Sequence, residues 1–196
     1  MSRPLTDDEL HAFKARLCDV AEGLFAERGA ENVSLRQIAA ALGVSPMTPY
    51  RYFASRDAIL AAVRIRGFAR FAERLEAAHA DTPGDGAAKA LAMGRAYIAF
   101  ALSNANTYRL MFEHHQQEDT DDGPLGRAVA RARATLSVIG DRLIARGLPE
   151  AEARATEALI WSTLHGAVAL ELAGTMPPGS AEDTLALLAR RLAPSR

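Results

Sequence analysis

Hydrophobic residues recur at steps of three and four along most of the chain, which is the spacing of one face of an α-helix. The first such stretch carries them at Leu10, Phe13, Leu17, Val20, Leu24 and Phe25. Thr6 and Glu9 stand at its start in the arrangement of a capping box, and Gly29 ends it. Runs that alternate with period two are absent from the sequence. The pattern therefore predicts an all-α protein of about nine helices.

The other helices are predicted from the same periodicity and from the polar breaks, rich in glycine and proline, that separate them. They cover residues 35–42, 46–53, 56–80, 87–105, 106–115, 125–146, 149–173 and 181–192. We expect a three-helix N-terminal domain over residues 1–55, a connector helix over 56–80 and a helical C-terminal domain over 81–196. The connector ends at the polar break DTPGDG, so we expect it to carry movements between the two domains.

The segment SLRQIAAALGVSPMTPYRYF, residues 34–53, predicts a helix, a tight turn and a second helix. Ser34 opens the first helix as part of a second capping box. Gly43 ends that helix, because a glycine adopts the left-handed conformation that other residues resist. Ser45 then caps the second helix, and Pro46 takes its first position, where a missing N–H costs nothing.

The free face of this second helix bears the residues Thr48, Tyr50, Arg51 and Tyr52. Two exposed tyrosines within three positions are uncommon on a short helix that has no binding role. A face of this composition suits a groove lined with phosphates and base edges. The segment therefore predicts a DNA-contacting element, although the same residues are also compatible with an ordinary surface.

The stretch GVSPMTPYRYFASRDAIL, with FAERGAENVSLRQIAAALG before it, resembles the recognition region of the TetR family of transcriptional repressors. This resemblance covers about the first third of the chain. Further on, TYRLMFE (Thr107–Glu113) and WSTLHGAVALE (Trp161–Glu171) resemble the C-terminal regulatory domain of the TetR subgroup with a Trp, His, Gly signature. The lysine that the family carries after its recognition helix is replaced here by Arg56, which keeps the positive charge.

The resemblance implies a helix-turn-helix regulator that binds a palindromic operator in double-stranded DNA as a homodimer and is released by a small, mostly apolar effector. It also implies that Arg36 and Thr48 read bases, whereas Tyr52 and Arg56 bind phosphate. The full set of implied DNA contacts is Ser34, Arg36, Ser45, Met47, Thr48, Tyr50, Arg51, Tyr52 and Arg56.

Effector and dimer contacts are expected in the C-terminal part of the chain. The candidate ligand-binding residues are Phe71, Leu75, Tyr97, Phe100, Tyr108, Met111, Phe112, Trp161 and His165. Each of them serves equally well as core packing, and a hydrogen-bonded structural role is the commoner one for a residue such as His165. Two copies of the last two long helices are expected to form a four-helix bundle. The candidate interface residues are Leu159, Ser162, Ala167, Leu170, Leu185 and Leu188.

Positive charge is concentrated in one region of the sequence. The formal net charge of the whole chain is -1, which gives no overall attraction to DNA. Between Asn32 and Arg70, however, six arginines stand against the single carboxylate of Asp57, a local balance of +5. The sequence therefore predicts that any attraction to DNA comes from this region.

Motifs of catalysis and of metal or cofactor binding do not occur in the sequence. Cys18 is the only cysteine, and we expect it to pack in the core. A nucleophile elbow, a glycine-rich phosphate loop and an HExxH pair are all missing. We therefore expect no enzymatic activity, no cofactor and no metal site. No apolar run approaches the roughly 18 residues of a membrane span, so we expect a cytoplasmic protein without a membrane partner.

Two other classes of function stay open at this point. One is a helical enzyme, which the missing catalytic motifs disfavour. The other is a helical small-molecule-binding or interaction protein that does not bind DNA. The arginines and tyrosines retained in the segment 34–56 disfavour this second alternative.

Overall fold

The structure is a computed structural model that describes residues 6–113 and 123–192. Over these residues the regular elements are eight α-helices and two 3-10 helices, Ala30–Asn32 and Pro49–Arg51. The α-helices are α1 (Asp7–Arg28), α2 (Leu35–Leu42), α3 (Arg56–Asp81), α4 (Gly86–Ser103), α5 (Ala105–Glu113), α6 (Pro124–Ala145), α7 (Glu150–Leu172) and α8 (Ser180–Leu192). The all-α prediction is confirmed. The predicted helix 46–53 is the exception, and residues 114 and 115 of the predicted helix 106–115 lie outside the described residues.

Short-range hydrogen bonds fix where several helices begin. At the start of α1, the Thr6 N–H donates to Glu9 Oε2 at 2.8 Å, and the Glu9 N–H donates to Thr6 Oγ1 at 3.3 Å. At the start of α3, Ser55 Oγ accepts from the Ala58 N–H at 3.1 Å. Such caps satisfy backbone N–H groups that have no partner inside the helix. These helix starts are therefore encoded locally, as the sequence predicted.

The described residues form two compact units. The first unit comprises the chain up to Gly67 together with Asn106–Gly126, and the second comprises Phe68–Ala105 together with the chain from Arg127 onward. Helix α3 contributes residues to both units. Most of α5 belongs to the first unit. The expected domains 1–55, 56–80 and 81–196 stay a prediction.

The core of the first unit is built from the apolar stripe of α1 and the inner faces of its neighbours. Its buried members are Leu17, Cys18, Ala21, Phe25, Ala30, Val33, Leu35, Ile38, Ile59, Leu60, Val63 and Leu110. Phe13, Leu42 and Phe53 pack against this cluster from its edge. Burial raises the pKa of the Cys18 thiol, which is consistent with the expected packing role of that residue.

Helix α5 joins the first unit through a close approach to α3 at Gly67. A Cβ atom at Gly67 would lie 2.9 Å from Cγ2 of Thr107 and 2.9 Å from Cγ of Met111. Thr107 also donates a hydrogen bond to the carboxylate of Glu22 on α1. The missing side chain at Gly67 therefore leaves room for the Thr107 and Met111 side chains of α5.

Replacing Gly67 with alanine is expected to destabilise the first unit by about 1–3 kcal/mol, because the added methyl group overpacks the contact with Thr107 and Met111. Gly23 provides the matched control, since a Cβ atom there meets nothing within 4 Å. Gly23→Ala is expected to raise stability by about 0.5–1 kcal/mol through helix propensity alone. Urea titrations of both variants measure the difference. Two variants of equal stability would show that α5 does not pack at Gly67 in this way.

The second unit is formed by the C-terminal half of α3 with α4, α6, α7 and α8. Its buried core includes Phe71, Leu75, Tyr97, Ile98 and Val168. None of the described helices is both long enough and apolar enough to span a lipid bilayer.

Candidate DNA-binding surface and effector cavities

The first helix of the predicted helix-turn-helix is fixed at both ends by its own residues. The Ser34 N–H donates to Gln37 Oε1 at 2.7 Å, and the Gln37 N–H donates to Ser34 Oγ at 3.3 Å, which completes the predicted capping box. Gly43 adopts a φ of 69°, in the left-handed region, and ends α2. The following Val44 N–H donates to the Ala39 carbonyl at 3.0 Å. The turn is therefore specified by Gly43, as predicted.

The predicted second helix, 46–53, is not an α-helix in the structure. The Ser45 carbonyl accepts from the Thr48 N–H at 2.8 Å, and a 3-10 helix then covers Pro49–Arg51. The physical reason is that Pro49 has no N–H to donate to the Ser45 carbonyl. The tighter bond from Thr48 takes its place, so the segment is wound as successive three-residue turns.

A buried proline and a stacked tyrosine hold this segment against the first unit. Pro49 is almost fully buried. The ring of Tyr52 packs on that of Phe13, with centroids 4.9 Å apart, so Tyr52 is half-buried. In contrast, Met47 is 66% exposed and Tyr50 is 47% exposed. The segment thus presents Met47 and Tyr50 to solvent while Pro49 anchors it.

The arginines of the charged region differ in their availability. Arg36 and Arg51 are exposed, and their side chains form no hydrogen bond or ion pair with any described residue. Arg56 is already engaged, because its Nη1 donates to the Glu31 carbonyl at 3.0 Å and its Nη2 lies 2.8 Å from Asp57 Oδ1. A phosphate contact by Arg56, as the resemblance implies, therefore has to compete with these bonds.

Two further arginines of this region are engaged with other groups of the first unit. Arg64 is only 4% exposed, and its Nη2 donates to the Met111 carbonyl at 3.4 Å. Arg66 pairs with Asp19 at 2.7 Å and donates to the Ala15 carbonyl at 2.9 Å. The expected local balance of +5 thus overstates the charge that faces solvent. Sequence counting missed this because α3 turns successive arginines to different faces.

Ser34, Ser45 and Thr48 complete the predicted DNA-contacting set. Ser34 and Ser45 are exposed, and Thr48 is half-buried. Ser34 Oγ is occupied by the capping box, and Ser45 Oγ accepts from the Met47 N–H at 3.4 Å. All nine predicted residues belong to the first unit. The described geometry leaves the side chains of Arg36, Met47, Tyr50 and Arg51 most accessible.

Comparison with known proteins decides the family. Residues 90–193 match the tetracyclin repressor-like C-terminal domain, and residues 17–63 match the bacterial regulatory proteins of the tetR family. The chain belongs to the TetR family. This confirms the resemblance to the TetR family and the assignment of an N-terminal helix-turn-helix domain with a helical C-terminal domain.

Individual TetR-type relatives agree with the family match. The HTH-type transcriptional regulator Rv1816 of Mycobacterium tuberculosis is 27% identical over 128 residues, which is 62% of this chain and 55% of that protein. The chain therefore spans about half the length of the curated relatives that it matches. Among solved structures, the regulatory protein SCO4313 is 27% identical, with a TM-score of 0.76 over 97% of this chain and 100% of that one. A tetR-family protein from Rhodococcus RHA1 shares the fold at 21% identity, with a TM-score of 0.68 over 93% and 98%.

The predicted ligand-binding residues of this TetR-family chain do not form one set. Phe71 packs edge-on against Tyr97 and Phe100, with ring centroids 5.3 Å and 5.4 Å away, in the core of the second unit. Leu75 is buried in the same unit. Tyr108, Met111 and Phe112 belong to the first unit. The Tyr108 and Phe112 rings are in contact there, 4.9 Å apart. Sequence periodicity identified apolar faces but not which unit each face serves.

Trp161, Tyr97 and His165 are neighbours in the second unit. The Tyr97 hydroxyl lies 3.2 Å from Nδ1 of His165, and the Trp161 and His165 rings are 5.7 Å apart. Tyr97 and Trp161 line a cavity of about 50 Å³. This is too small for most organic ligands, since sites for such molecules typically have about 300–1,000 Å³. The hydrogen bond favours the structural role for His165 that the sequence left open.

The stability of the second unit is expected to depend on pH through His165. Burial lowers the pKa of His165 below its ordinary range. The unfolded chain therefore takes up this proton more readily than the folded chain as the pH falls below about 6.5, and stability decreases through that window. We expect His165→Gln to lose part of the fall in unfolding free energy between pH 7.5 and pH 5. Denaturant titrations at both pH values measure this fall. If the unfolding free energy falls equally in the wild-type and His165→Gln proteins, His165 is not its cause.

A larger cleft in the second unit was missed by sequence reasoning. It has a volume of about 330 Å³. Its walls are aliphatic and come from α4, α6, α7 and α8. None of the nine predicted ligand-binding residues lines it. The sequence signal was present in the apolar, alanine-rich faces of α4 and α8, but small aliphatic residues look the same whether they pack closely or border a space.

The structure separates the candidate dimer-interface residues into buried and exposed ones. Ala167 and Leu185 are buried inside the second unit, and Leu188 lines the cleft. Leu159 and Ser162 remain exposed. The large apolar side chains exposed on the described second unit are Leu159, Leu170, Leu187 and Leu192. Helix α8 carries leucines on opposite faces, so the periodicity did not separate the buried Leu185 from the exposed Leu187.

Proposed function

We propose that this TetR-family regulator binds a palindromic operator as a homodimer, represses transcription there and is released by a small, mostly apolar molecule. The observation that carries the DNA-binding part is the state of Arg36, Met47, Tyr50 and Arg51. These side chains are exposed around a turn that Gly43 and the buried Pro49 fix in place. A surface that is held rigidly and has unengaged donors is suited to a DNA groove.

Homodimer formation is supported by the position of the exposed leucines. Leu159 and Leu170 lie on α7, whereas Leu187 and Leu192 lie on α8, and each is at least 46% exposed. Small residues near Leu159 on α7, such as Ala158 and Ser162, permit close helix approach. Two copies of α7 and α8 would bury these leucines in a four-helix bundle. A two-fold axis then presents two recognition segments to two half-sites.

Release by an effector is proposed to act through α3. This helix begins next to the recognition segment, and it supplies Phe71 and Leu75 to the core of the second unit. A ligand that favours a different setting of α3 lowers affinity for a two-site operator, because both half-sites have to be engaged together. Linkage requires that DNA weakens ligand binding by the same factor. We place the regulator in the cytoplasm, where its operator would be found.

The proposal is tested by a gel shift with the DNA upstream of the gene that encodes this chain. A retarded band that survives excess nonspecific DNA is expected. If nonspecific DNA removes this band at the same competitor concentration as it removes a band with scrambled DNA, the binding is only nonspecific. The operator-binding function would then be wrong.

The dimer is tested by light scattering of a Leu159→Glu variant. The wild-type chain is expected to have twice the monomer mass at micromolar concentration, whereas the variant is expected to be monomeric because a buried, unpaired carboxylate opposes association. Ala99→Glu is the matched control, since Ala99 is exposed on α4 of the same unit. A wild-type monomer, or equal dissociation of both variants, would contradict the α7 and α8 interface.

A further inference from the structure

The 330 Å³ cleft of the second unit has an unusually uniform lining. Apart from Arg142 and Arg146, every lining residue is a glycine, alanine, valine, isoleucine or leucine. The lining includes Val138, Ile139 and Leu188. No hydroxyl, amide or carboxylate side chain is among the lining residues, so the two guanidinium groups are the only side-chain hydrogen-bond donors.

Arg142 lies in the last turn of α6, and Arg146 directly follows the last residue of that helix. The Arg146 N–H still donates to the Arg142 carbonyl at 3.2 Å, so the two residues are about one helical turn apart. Neither forms a hydrogen bond or ion pair through its side chain within the described part of the chain. The Arg142 stem lies against the start of α4, where a Cβ atom at Gly86 would be 2.9 Å from Arg142 Cδ. The absence of a side chain at Gly86 therefore allows this guanidinium to reach the cleft.

Asp85 interacts electrostatically with this pair but does not neutralise it. Asp85 caps α4, with its Oδ1 accepting from the Ala87 and Ala88 N–H groups at 3.0 Å and 3.1 Å. These bonds lower the pKa of Asp85 first, and the charges of Arg142 and Arg146 add a smaller effect. One carboxylate thus faces two guanidinium groups and the N-terminal end of a helix. The rim of the cleft keeps a net positive charge.

We infer that the cleft binds a single-chain amphiphile with a carboxylate head, with its hydrocarbon chain along the aliphatic walls and its carboxylate on Arg142 and Arg146. A guanidinium group matches a carboxylate in a bidentate arrangement, which explains why two unengaged arginines border an otherwise apolar space. The cleft volume is at the lower end of the range of about 300–1,000 Å³ for small-molecule sites, which suits one short chain rather than a polycyclic ligand.

This inference deepens the proposed function, on which it rests for the effector role, because it names the chemical class of the effector. The apolar chain accounts for most of the contact, and the carboxylate selects an anion over a neutral or cationic molecule of equal length. The aromatic site expected from the sequence is not involved.

Direct binding of decanoate tests the inference without DNA. Trp161 is the only tryptophan and lines the small cavity that shares Ile139, Ile160 and Leu185 with the cleft, so its fluorescence reports on occupancy. We expect saturable binding of decanoate, with decanol and decyltrimethylammonium bound at least about tenfold more weakly. Equal affinity for decanoate and decanol would overturn the anionic head.

Three variants locate the site. The double variant Arg142→Met and Arg146→Met keeps apolar stems, and it is expected to lose about tenfold or more in decanoate affinity while decanol binding is unchanged. Arg133→Met is the matched control, because Arg133 is exposed on the same helix and does not line the cleft. Ala189→Phe fills the cleft from α8 without adding a tryptophan, and it should abolish binding of both molecules. Retained binding in Ala189→Phe with an unchanged melting temperature would overturn the cleft as the site.

Failure of the inference is distinguishable from failure of the proposed function. Operator affinity is measured separately, with and without saturating decanoate. Binding that requires Arg142 and Arg146 but leaves the operator complex unchanged would support the site and contradict ligand release. Operator binding without any decanoate binding would support the regulator and overturn this ligand class.

Discussion

Operator binding is expected to weaken by about 1–3 kcal/mol when Arg36 is replaced with alanine, and discrimination is expected to be lost at one base position. Arg36 is exposed in the first turn of α2, and its side chain has no hydrogen bond or ion pair with the described residues. Its guanidinium group can therefore form a bidentate contact to a guanine edge without breaking an existing bond. A set of operators with single base changes, titrated against both proteins, measures this loss of discrimination.

Removal of Arg51 is expected to have a different signature. Arg51 is exposed and unengaged next to Tyr50, and a phosphate contact there carries no sequence information. Arg51→Ala should weaken all operators alike and reduce the salt slope by about one. Arg133→Met is the matched control, since it removes one exposed positive charge from the second unit and none from the recognition segment.

If Arg36→Ala keeps full base discrimination, the base-reading role of Arg36 is wrong.

Arg56 is expected to combine a binding effect with a stability effect. Its guanidinium joins the Glu31 carbonyl and the Asp57 carboxylate, so Arg56→Ala leaves both acceptors without this donor. A lower melting temperature is therefore expected for Arg56→Ala and not for Arg51→Ala. Phosphate binding by Arg56 itself stays a prediction of the family resemblance.

The second large effect is expected at Phe71, where replacement with alanine should cost about 3–5 kcal/mol of unfolding free energy. Phe71 is 1% exposed and contacts the rings of Tyr97 and Phe100 edge-on. Its loss removes both the buried area and the aromatic contacts, and the helices around it are only partly able to close the cavity. Urea unfolding of the two proteins measures the difference.

This experiment also separates packing from ligand binding at Phe71. Tyr50→Ala is the control, because Tyr50 is exposed and its removal should change stability by less than about 0.5 kcal/mol. A Phe71→Ala protein of nearly normal stability that no longer responds to its effector would restore Phe71 as a wall of the effector site. If Phe71→Ala loses stability but the folded protein keeps its decanoate affinity, Phe71 serves as core packing.

The sequence by itself determined most of the secondary structure. Capping boxes at Thr6 and Ser34, the N-cap at Ser55 and the left-handed Gly43 are short-range devices whose partners lie within four residues. Helix periodicity depends only on which residues are apolar. These features, with the family motif around residues 43–60, also predicted which segment contacts DNA. The predicted α-helix after the turn is not formed because Pro49 has no N–H to donate to the Ser45 carbonyl, and the local hydrogen bonding shifts to three-residue turns.

Only the tertiary structure decided which elements distant in sequence pack against one another. The missing side chain at Gly67 lets α5 pack in the first unit. Arg64 is buried and Arg66 pairs with Asp19, so both are engaged within that unit. On α8, Leu185 is buried and Leu187 is exposed. The space bordered by Arg142 and Arg146 was equally invisible in the sequence. Each of these outcomes depends on which face of a helix meets which neighbour and at what distance. Periodicity gives a helix its faces, but the close packing of side chains from separate parts of the chain selects the partner for each face.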